Sequence, residues 1–316
     1  MKYAKCFLIS LVVGLVFTII YIIVKLILVY LKYKSAFNNV WFNTKYCGEK
    51  ICSSMSPIPK QPKDINLTEW NTDIAKYSAE TVYRIEKASQ DKVKINYLPE
   101  LDVLKELYNN YEDPVFGSIM ENSNAIWISF RGTQTGTDFI QDLKVQQETY
   151  MDSSSSGQVE FKLFKNNNLK PLIHKGFMEI YDKFRKEILD TLEKYNPTKE
   201  KPIVVSGHSL GAAISTIVGF DLSQNNYSVV VYNYASPRIG DKTLCELINN
   251  TLKVFRVVNT ADIVPNLPAS VTPNFKDVDN PYIYVHCGIL KSFTDNWFSM
   301  LNNHLIPVYM KALESM

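Results

Sequence analysis

The chain has 316 residues, of which 46% are hydrophobic, 12% aromatic and 21% charged. That is enough apolar mass for a sizeable core, which excludes a wholly disordered polymer, while five cysteines are too few for a disulfide-built scaffold. The net charge of +2 sets up no field suited to nucleic acid, and the length accommodates two domains or one α/β domain of roughly 250 residues with an appendage.

Residues 1–35 hold five lysines and no acid, so the rest of the chain is net acidic. Phe7 to Val24 is an uncharged apolar run; Lys25 interrupts it and LILVYL continues to Leu31. A helix of 18–20 such residues spans roughly 27–30 Å, about one hydrocarbon core. The run is longer than a signal-peptide core, and basic KYK follows it instead of a small-x-small cleavage site. The expectation is a single-span signal-anchor over 1–35, with a transmembrane helix at 7–31. Cleavage to a secreted protein and a buried soluble helix are the alternatives. Lysines flank the run almost evenly, so charge does not set its orientation. Two features favour a lumenal or extracellular catalytic part: Cys47 and Cys52 suit a small oxidised loop, and Asn66, Asn226 and Asn249 open glycosylation triplets. Cys245 and Cys287 read as ordinary core thiols.

Residues 36–65 read as a tether with Pro57, Pro59 and Pro62. Over 68–88, Trp70, Ile74, Tyr77, Val82 and Ile85 fall near one helical face. AIWISF (125–130) is a short strand, and the SSSSG and NNN tracts within 150–170 mark a surface insertion. Phe177, Ile180, Phe184, Ile188 and Leu192 predict an amphipathic helix over 176–194. IVVS (203–206) is a strand, GAAISTIVGF the next helix, and VVVYNYA (229–235) and VFRVVN (254–259) are buried-type strands. The last 25 residues read as helix. Strands alternating with helices predict a mostly parallel central sheet flanked by helices.

Gly207-His208-Ser209-Leu210-Gly211 follows a strand and opens a helix of small residues, the setting of a nucleophile elbow. Its glycines suit a sharp turn with chain passing close by. The helix amino terminus then favours negative charge at the reacting oxygen. A serine hydroxyl needs a base, and the base an orienting acid, in the order Ser, Asp or Glu, His. Asp262, in NTADIVPNLP beyond a strand's carboxyl end, is the acid candidate. His286 and His304 are the two histidines after Ser209. The Leu210 N–H, next after the nucleophile, is one oxyanion donor.

Over about residues 66–316 the chain resembles the class 3, fungal-type triacylglycerol lipases of the α/β-hydrolase superfamily. The resemblance rests on FRGT (130–133), IHKGFMEIY (173–181), VVSGHSLGAA, YASPRIGD (234–241), NTADIVPNLP, YVHCG (284–288) and NHLIPVYM (303–310). It implies an α/β-hydrolase fold and a triad of Ser209, Asp262 and His304. It favours His304 over His286 as base, gives the second oxyanion donor to Thr133, and leaves His174 and His208 structural. Asn303 departs from the aspartate usual before that histidine. Arg131 reads as structural. Within 134–145, Phe139, Ile140 and Leu143 suit a lid helix hinged near Gly136, with an ordinary surface helix as the alternative.

No H-E-x-x-H, paired C-x-x-C or phosphate loop occurs, and DVDN (277–280) reads as a solvated turn, so no metal or cofactor is expected. The expected function is ester hydrolysis of acylglycerols through an acyl-enzyme, at a membrane or lipid-droplet interface. Cleavage of phospholipid at the sn-1 ester is the variant. A non-catalytic, membrane-tethered lipid-binding or interaction protein on a lipase fold is the alternative of another class.

Overall fold

The computed structural model describes residues 21, 23–25, 58–109, 113–133, 145–150 and 170–316. Most of the 7–31 apolar run, the tether up to residue 57 with Cys47 and Cys52, the lid interval 134–144 and most of the 150–170 insertion lie outside the described residues. Among the described residues no helix is long and apolar enough to cross a membrane.

The helix expected at 68–88 is α1, Thr72–Asp91. It starts where the Asn71 side chain accepts from the N–H groups of Asp73 and Ile74, and it stops at Lys92 in the left-handed region. An antiparallel edge follows: β1 (Asp102–Leu107), β2 (Gly117–Glu121) and β3 (Ile126–Phe130). A small pair, β4 (Gln147–Thr149) and β5 (Leu172–His174), precedes α2 (Lys175–Tyr195). Then come β6 (Ile203–His208), α3 (Leu210–Gln224), β7 (Val229–Tyr234), α4 (Lys242–Thr251) and β8 (Lys253–Asn259). A 3-10 turn (Val264–Asn266), the short β9 (Val271–Thr272) and β10 (Tyr282–Ile283), and β11 (Ile289–Phe293) complete the strands. The main sheet has seven strands in the order β1-β2-β3-β6-β7-β8-β11, parallel from β3 onward.

The period of two along each strand sorts the core into two layers. Trp127, Val204, Val230, Phe255 and Val257 pack towards α1 and the C-terminal helix. Ile126, Ile128, Ile203, Val205, Val231 and Val254 pack towards α2 and α3. Central strands buried on both faces read as continuous apolar runs, which is why they were visible in the sequence. Each fully buried large apolar side chain contributes about 1.5–3 kcal/mol, and Trp127, Phe130, Phe184 and Phe220 are among them.

Two expectations are corrected. The last 25 residues are not one helix. They begin in β11, whose residues pair in register with Phe255 to Asn259, and end in α5 (Met300–Asn303) and α6 (Ile306–Leu313). Pro307 at the start of α6 and the Ser299 cap of α5 divide them, and His304 sits at the break. Cys245 and Cys287 are not free thiols but a disulfide, with Cα atoms 4.7 Å apart. It staples α4 to the segment entering β11, a contact made across 42 residues that local sequence cannot display. At the other end, Asn124 donates to the carbonyls of Pro62 and Lys63, so the last residues of the tether interval pack on the domain.

Candidate active site

The elbow is built by close approach. A Cβ on Gly207 would lie 2.2 Å from the Gly211 carbonyl oxygen, and one on Gly211 would lie 2.4 Å from that of Arg131. Only glycine lets β6 turn into α3 while β3 passes alongside. Ser209 takes the strain, with φ 57° and ψ −123°, a backbone state that persists only when the surroundings impose it. Its N–H donates to the Tyr234 carbonyl at 2.9 Å, and its side chain stands at the amino terminus of α3. The Leu210 N–H is the first of that helix, among the donors with no partner inside it.

The Asp262 loop follows the carboxyl end of β8, on the side of the sheet where the elbow stands. Asp262 is 2% exposed. Its Oδ2 accepts from His304 Nδ1 at 2.7 Å and from the Tyr309 hydroxyl at 2.6 Å, and its Oδ1 accepts from the Val264 N–H at 2.9 Å. With Nδ1 donating to the carboxylate, the His304 ring keeps Nε2 as the atom with a lone pair. Burial and the Asp262 charge hold the Tyr309 hydroxyl far above its ordinary range, so it stays a donor.

The structure brings Ser209, Asp262 and His304 to one end of the sheet. His208, the residue before Ser209, is the link: its Nε2 donates to the His304 carbonyl at 2.7 Å, and the two rings lie 4.6 Å apart. The segment after β3 closes the other side. A Cβ on Gly132 would lie 3.1 Å from Ser209 Cβ, which seats Gly132-Thr133 against the serine. Arg131 is structural, its guanidinium donating to the carbonyls of Val115 and Gly132.

His286 is not part of this cluster. Burial first, then the charges of Arg256 and Arg238, press its pKa down to about 3. His174 caps α2, accepting from the Phe177 N–H at 3.3 Å and stacking on Phe177. The 277–280 segment is an exposed turn closed by Asn280 donating to Asp277. Among the described residues no group of three or more His, Cys, Asp or Glu is placed to hold a metal.

Three residues of the site escaped the sequence. Glu86, on α1 and buried, takes His208 Nδ1 at 2.9 Å and the Gly132 N–H at 3.2 Å on one oxygen. Burial alone would raise its pKa, but His208 and Gly132 bring it below the usual carboxylate range. Burial likewise opposes the charge on His208, and Glu86 outweighs it, so His208 is raised. Because His208 Nε2 already faces a carbonyl, the resulting pair is a carboxylate and an imidazolium. Asn259 is fully buried and reaches the carbonyls of Asp295 and Asn303 with its amide nitrogen while accepting from the N–H groups of Asp295 and Ala261. Tyr309 accepts from the Asn259 N–H and donates to Asp262. Tyr309 lay inside a quoted motif; a partner map was the missing signal for all three.

Comparison with known proteins bears on the family and on the fold. Residues 127–272 match the family described as Lipase (class 3). The phospholipase A(1) DAD1, chloroplastic, of Arabidopsis thaliana is 29% identical over 165 residues, 48% of this chain and 35% of its own length. The secreted mono- and diacylglycerol lipase A of Penicillium cyclopium is 40% identical over 97 residues, 29% of this chain and 31% of its own. The matched part thus spans about a third of each of these relatives. The triacylglyceride lipase structure of Rhizomucor miehei superposes with a TM-score of 0.53 over 70% of this chain and 78% of that one, at 24% identity, a likeness of fold. A strained serine turn and an acid–imidazole pair on a mostly parallel sheet thus stand together with a class 3 lipase match over residues 127–272.

Proposed function

We propose that the protein is a serine ester hydrolase that frees fatty acids from acylglycerols. The observation that carries this is the Asp262–His304 hydrogen bond set beside a strained Ser209 at a helix amino terminus. Ser209 Oγ attacks the ester carbonyl while His304 Nε2 takes its proton. Asp262 holds the imidazole in that tautomer and stabilises it when it becomes charged. The Leu210 N–H and Thr133 receive the oxyanion, each such donor being worth about 2.7–4 kcal/mol. His304 returns the proton to the leaving alcohol. Water, activated by the same imidazole, then releases the acyl group.

The relatives' names include a mono- and diacylglycerol lipase and a phospholipase A1, so phospholipid sn-1 cleavage by the same machinery is the second reading. Residues 7–31 serve as the membrane anchor on the strength of their length and apolarity. The Cys245–Cys287 disulfide supports a lumenal or extracellular catalytic domain, because such bonds persist in oxidising compartments.

A serine-directed fluorophosphonate probe labels wild type and not Ser209→Ala, and product analysis on mixed acylglycerols and phospholipids, with Ser209→Ala as control, names the substrate. Pure wild type that neither labels nor hydrolyses short p-nitrophenyl esters ends the proposal in favour of a binding protein. Alkaline carbonate leaves full-length chain in the membrane pellet. Its release would refute the anchor, and protease protection that places residues 36–316 in the cytosol would refute the topology.

A further inference from the structure

The two most exposed large apolar side chains among the described residues, Phe275 at 89% and Val278 at 80%, sit in one short segment, the turn that joins β9 to β10. Val271 and Ile283 are paired across that ladder, so they share one of its faces, and both are exposed. The next most exposed, Phe298, lies on the loop before His304. Its backbone is held at φ 53°, where a bulky residue is rarely found, and its N–H donates to Asn296 Oδ1 at 2.9 Å. Both segments border the catalytic end of the sheet. The hairpin continues the Asp262 loop, and Arg238, just beyond β7, donates to the Pro268 carbonyl at its root at 2.7 Å. At the other root the Tyr284 N–H donates to the Ser270 carbonyl, and the Tyr284 hydroxyl to the Val145 carbonyl at 3.0 Å. Trp297, next to Phe298, donates to Asn303, which in turn holds the Ala261 carbonyl.

A scattered exposed leucine or valine needs no explanation, but the most exposed apolar side chains gathered on two loops beside one site do. The hairpin tip is knit by its own hydrogen bonds. Asn274 Oδ1 accepts from the Lys276 N–H at 3.1 Å, Asn274 Nδ2 donates to the Asn280 carbonyl at 3.2 Å, and Asn280 Nδ2 donates to Asp277 at 2.8 Å. These bonds fix the backbone of residues 274–280 with Phe275 and Val278 already outward, so little ordering is left to be done when they are covered. The charges around them choose the cover. Lys276, Asp277 and Asp279, all exposed, carry both signs within four residues and sum to −1. That repels an anionic bilayer, which basic segments suit. It complements a head group that holds a phosphate and an ammonium, whereas a triacylglycerol droplet presents neither. We infer that the β9–β10 hairpin, with Phe298, docks the catalytic end on a zwitterionic membrane surface, Phe275 and Val278 entering the boundary between head groups and acyl chains. The choice of a lipid over a protein partner rests on the acyl-lipid reading above, and the inference adds the surface from which that site draws its substrate.

The test uses the full-length chain reconstituted into phosphatidylcholine vesicles that carry brominated acyl chains, which quench a nearby tryptophan. Phe275→Trp adds fluorescence that these vesicles quench by at least half. Tyr195→Trp, at the far end of α2 where the chain leaves for β6, adds fluorescence that they do not quench. Phe275→Ser with Val278→Ser removes the apolar tip without changing the charge. It lowers kcat/KM at least tenfold on diacylglycerol dispersed in phosphatidylcholine vesicles, while fluorophosphonate labelling and hydrolysis of a dissolved p-nitrophenyl ester stay within twofold of wild type. Both serines replace side chains that lie outside the core, and the soluble-substrate readout shows that the fold is intact. No quenching at position 275, equal quenching at 195, quenching only with anionic phosphatidylglycerol vesicles or an acylglycerol emulsion, or vesicle activity within twofold in the serine pair overturns the docking surface. So does a concentration-dependent dimer that the serine pair abolishes, which would assign the tip to a second copy. Quenching at 275 in a wild type that hydrolyses nothing would keep the surface and sink the hydrolase reading. Ester hydrolysis without quenching would do the reverse.

Discussion

Replacing Glu86 by Gln separates the carboxylate's charge from its shape. In the wild type one oxygen, Oε2, serves both His208 Nδ1 and the Gly132 N–H. Gln keeps the volume but carries no charge. If its amide N–H₂ faces a neutral Nδ1, Gly132 loses its acceptor, at about 1–3 kcal/mol for a buried unpaired donor. If its carbonyl faces both, an imidazolium stays buried without a counter-ion, and breaking a buried pair in that way costs about 3–5 kcal/mol. The first state is the cheaper one, so a neutral His208 and a loss of about 2–3 kcal/mol are expected near pH 7.5 once the charge-assisted bond is counted.

The pH dependence gives the sharper check. His208 is raised in the wild type, so its contribution is fully present below the unfolded value of about 6.5 and is lost as pH rises through the folded one. In the variant, His208 stays neutral while the unfolded chain still protonates. The deficit therefore grows as pH falls through 6.5, by about 1.4 kcal/mol per unit for one proton. His174, His286 and His304 occur in both proteins and cancel in the difference. Urea unfolding of the full-length chain at pH 5.5, 7.5 and 9 measures it. Fluorophosphonate labelling slows by about 10–100-fold, because Gly132 seats Thr133 against Ser209. A stability difference that is flat across this range, with labelling within twofold of wild type, would refute the ion-pair assignment.

Asp262→Asn leaves the packing in place but presents the wrong partner to His304 Nδ1; esterase kcat falls by about 10⁴. Tyr309→Phe removes one of the two donors on Asp262 Oδ2 and the acceptor of the Asn259 N–H, so kcat falls about tenfold with KM little changed. Cys245→Ser opens the α4–β11 staple and lowers stability by about 2–5 kcal/mol in chemical unfolding; equal midpoints for oxidised wild type and variant would contradict it.

What the sequence displayed follows from which forces are local. Strands β3, β6, β7 and β8 were legible because burial on both faces makes them continuous apolar runs. Ser209 was legible because the elbow needs glycines at fixed offsets, and Asp262 because it ends a recognisable strand. β1, β2 and β11 were missed: DVLKEL and ILKSF are half-exposed edge strands, whose mixed polarity carries little period. Glu86 sits on the face of α1 whose apolar period was legible, but helical spacing says nothing of a partner 122 residues away. The disulfide is hidden for the same reason. His304 was legible only through motif resemblance, since a final helix is a reasonable reading of residues whose hydropathy does not reveal where a cap and a proline divide it.

Asn303 shows how that division is held. Its Nδ2 donates to the Ala261 carbonyl at 2.9 Å, and its Oδ1 accepts from the Trp297 N–H at 2.7 Å. It thereby ties the loop before His304 to the residue before Asp262, and it is 4% exposed. An aspartate in its place could accept from Trp297, but once ionised it has nothing to donate to Ala261. Asn303→Asp therefore sets carboxylate oxygen against carbonyl oxygen. The unmade bond costs about 1–3 kcal/mol, and Asp262 adds like charge nearby. A carboxyl in that place is raised in the folded state, so it contributes stability when protonated and loses it as pH rises through its folded value. The variant should approach wild-type stability at pH 5 and fall behind at pH 8, with esterase activity declining over the same range. Parity with wild type at pH 8 in both measurements would mean that the Asp262–His304 spacing does not depend on this amide.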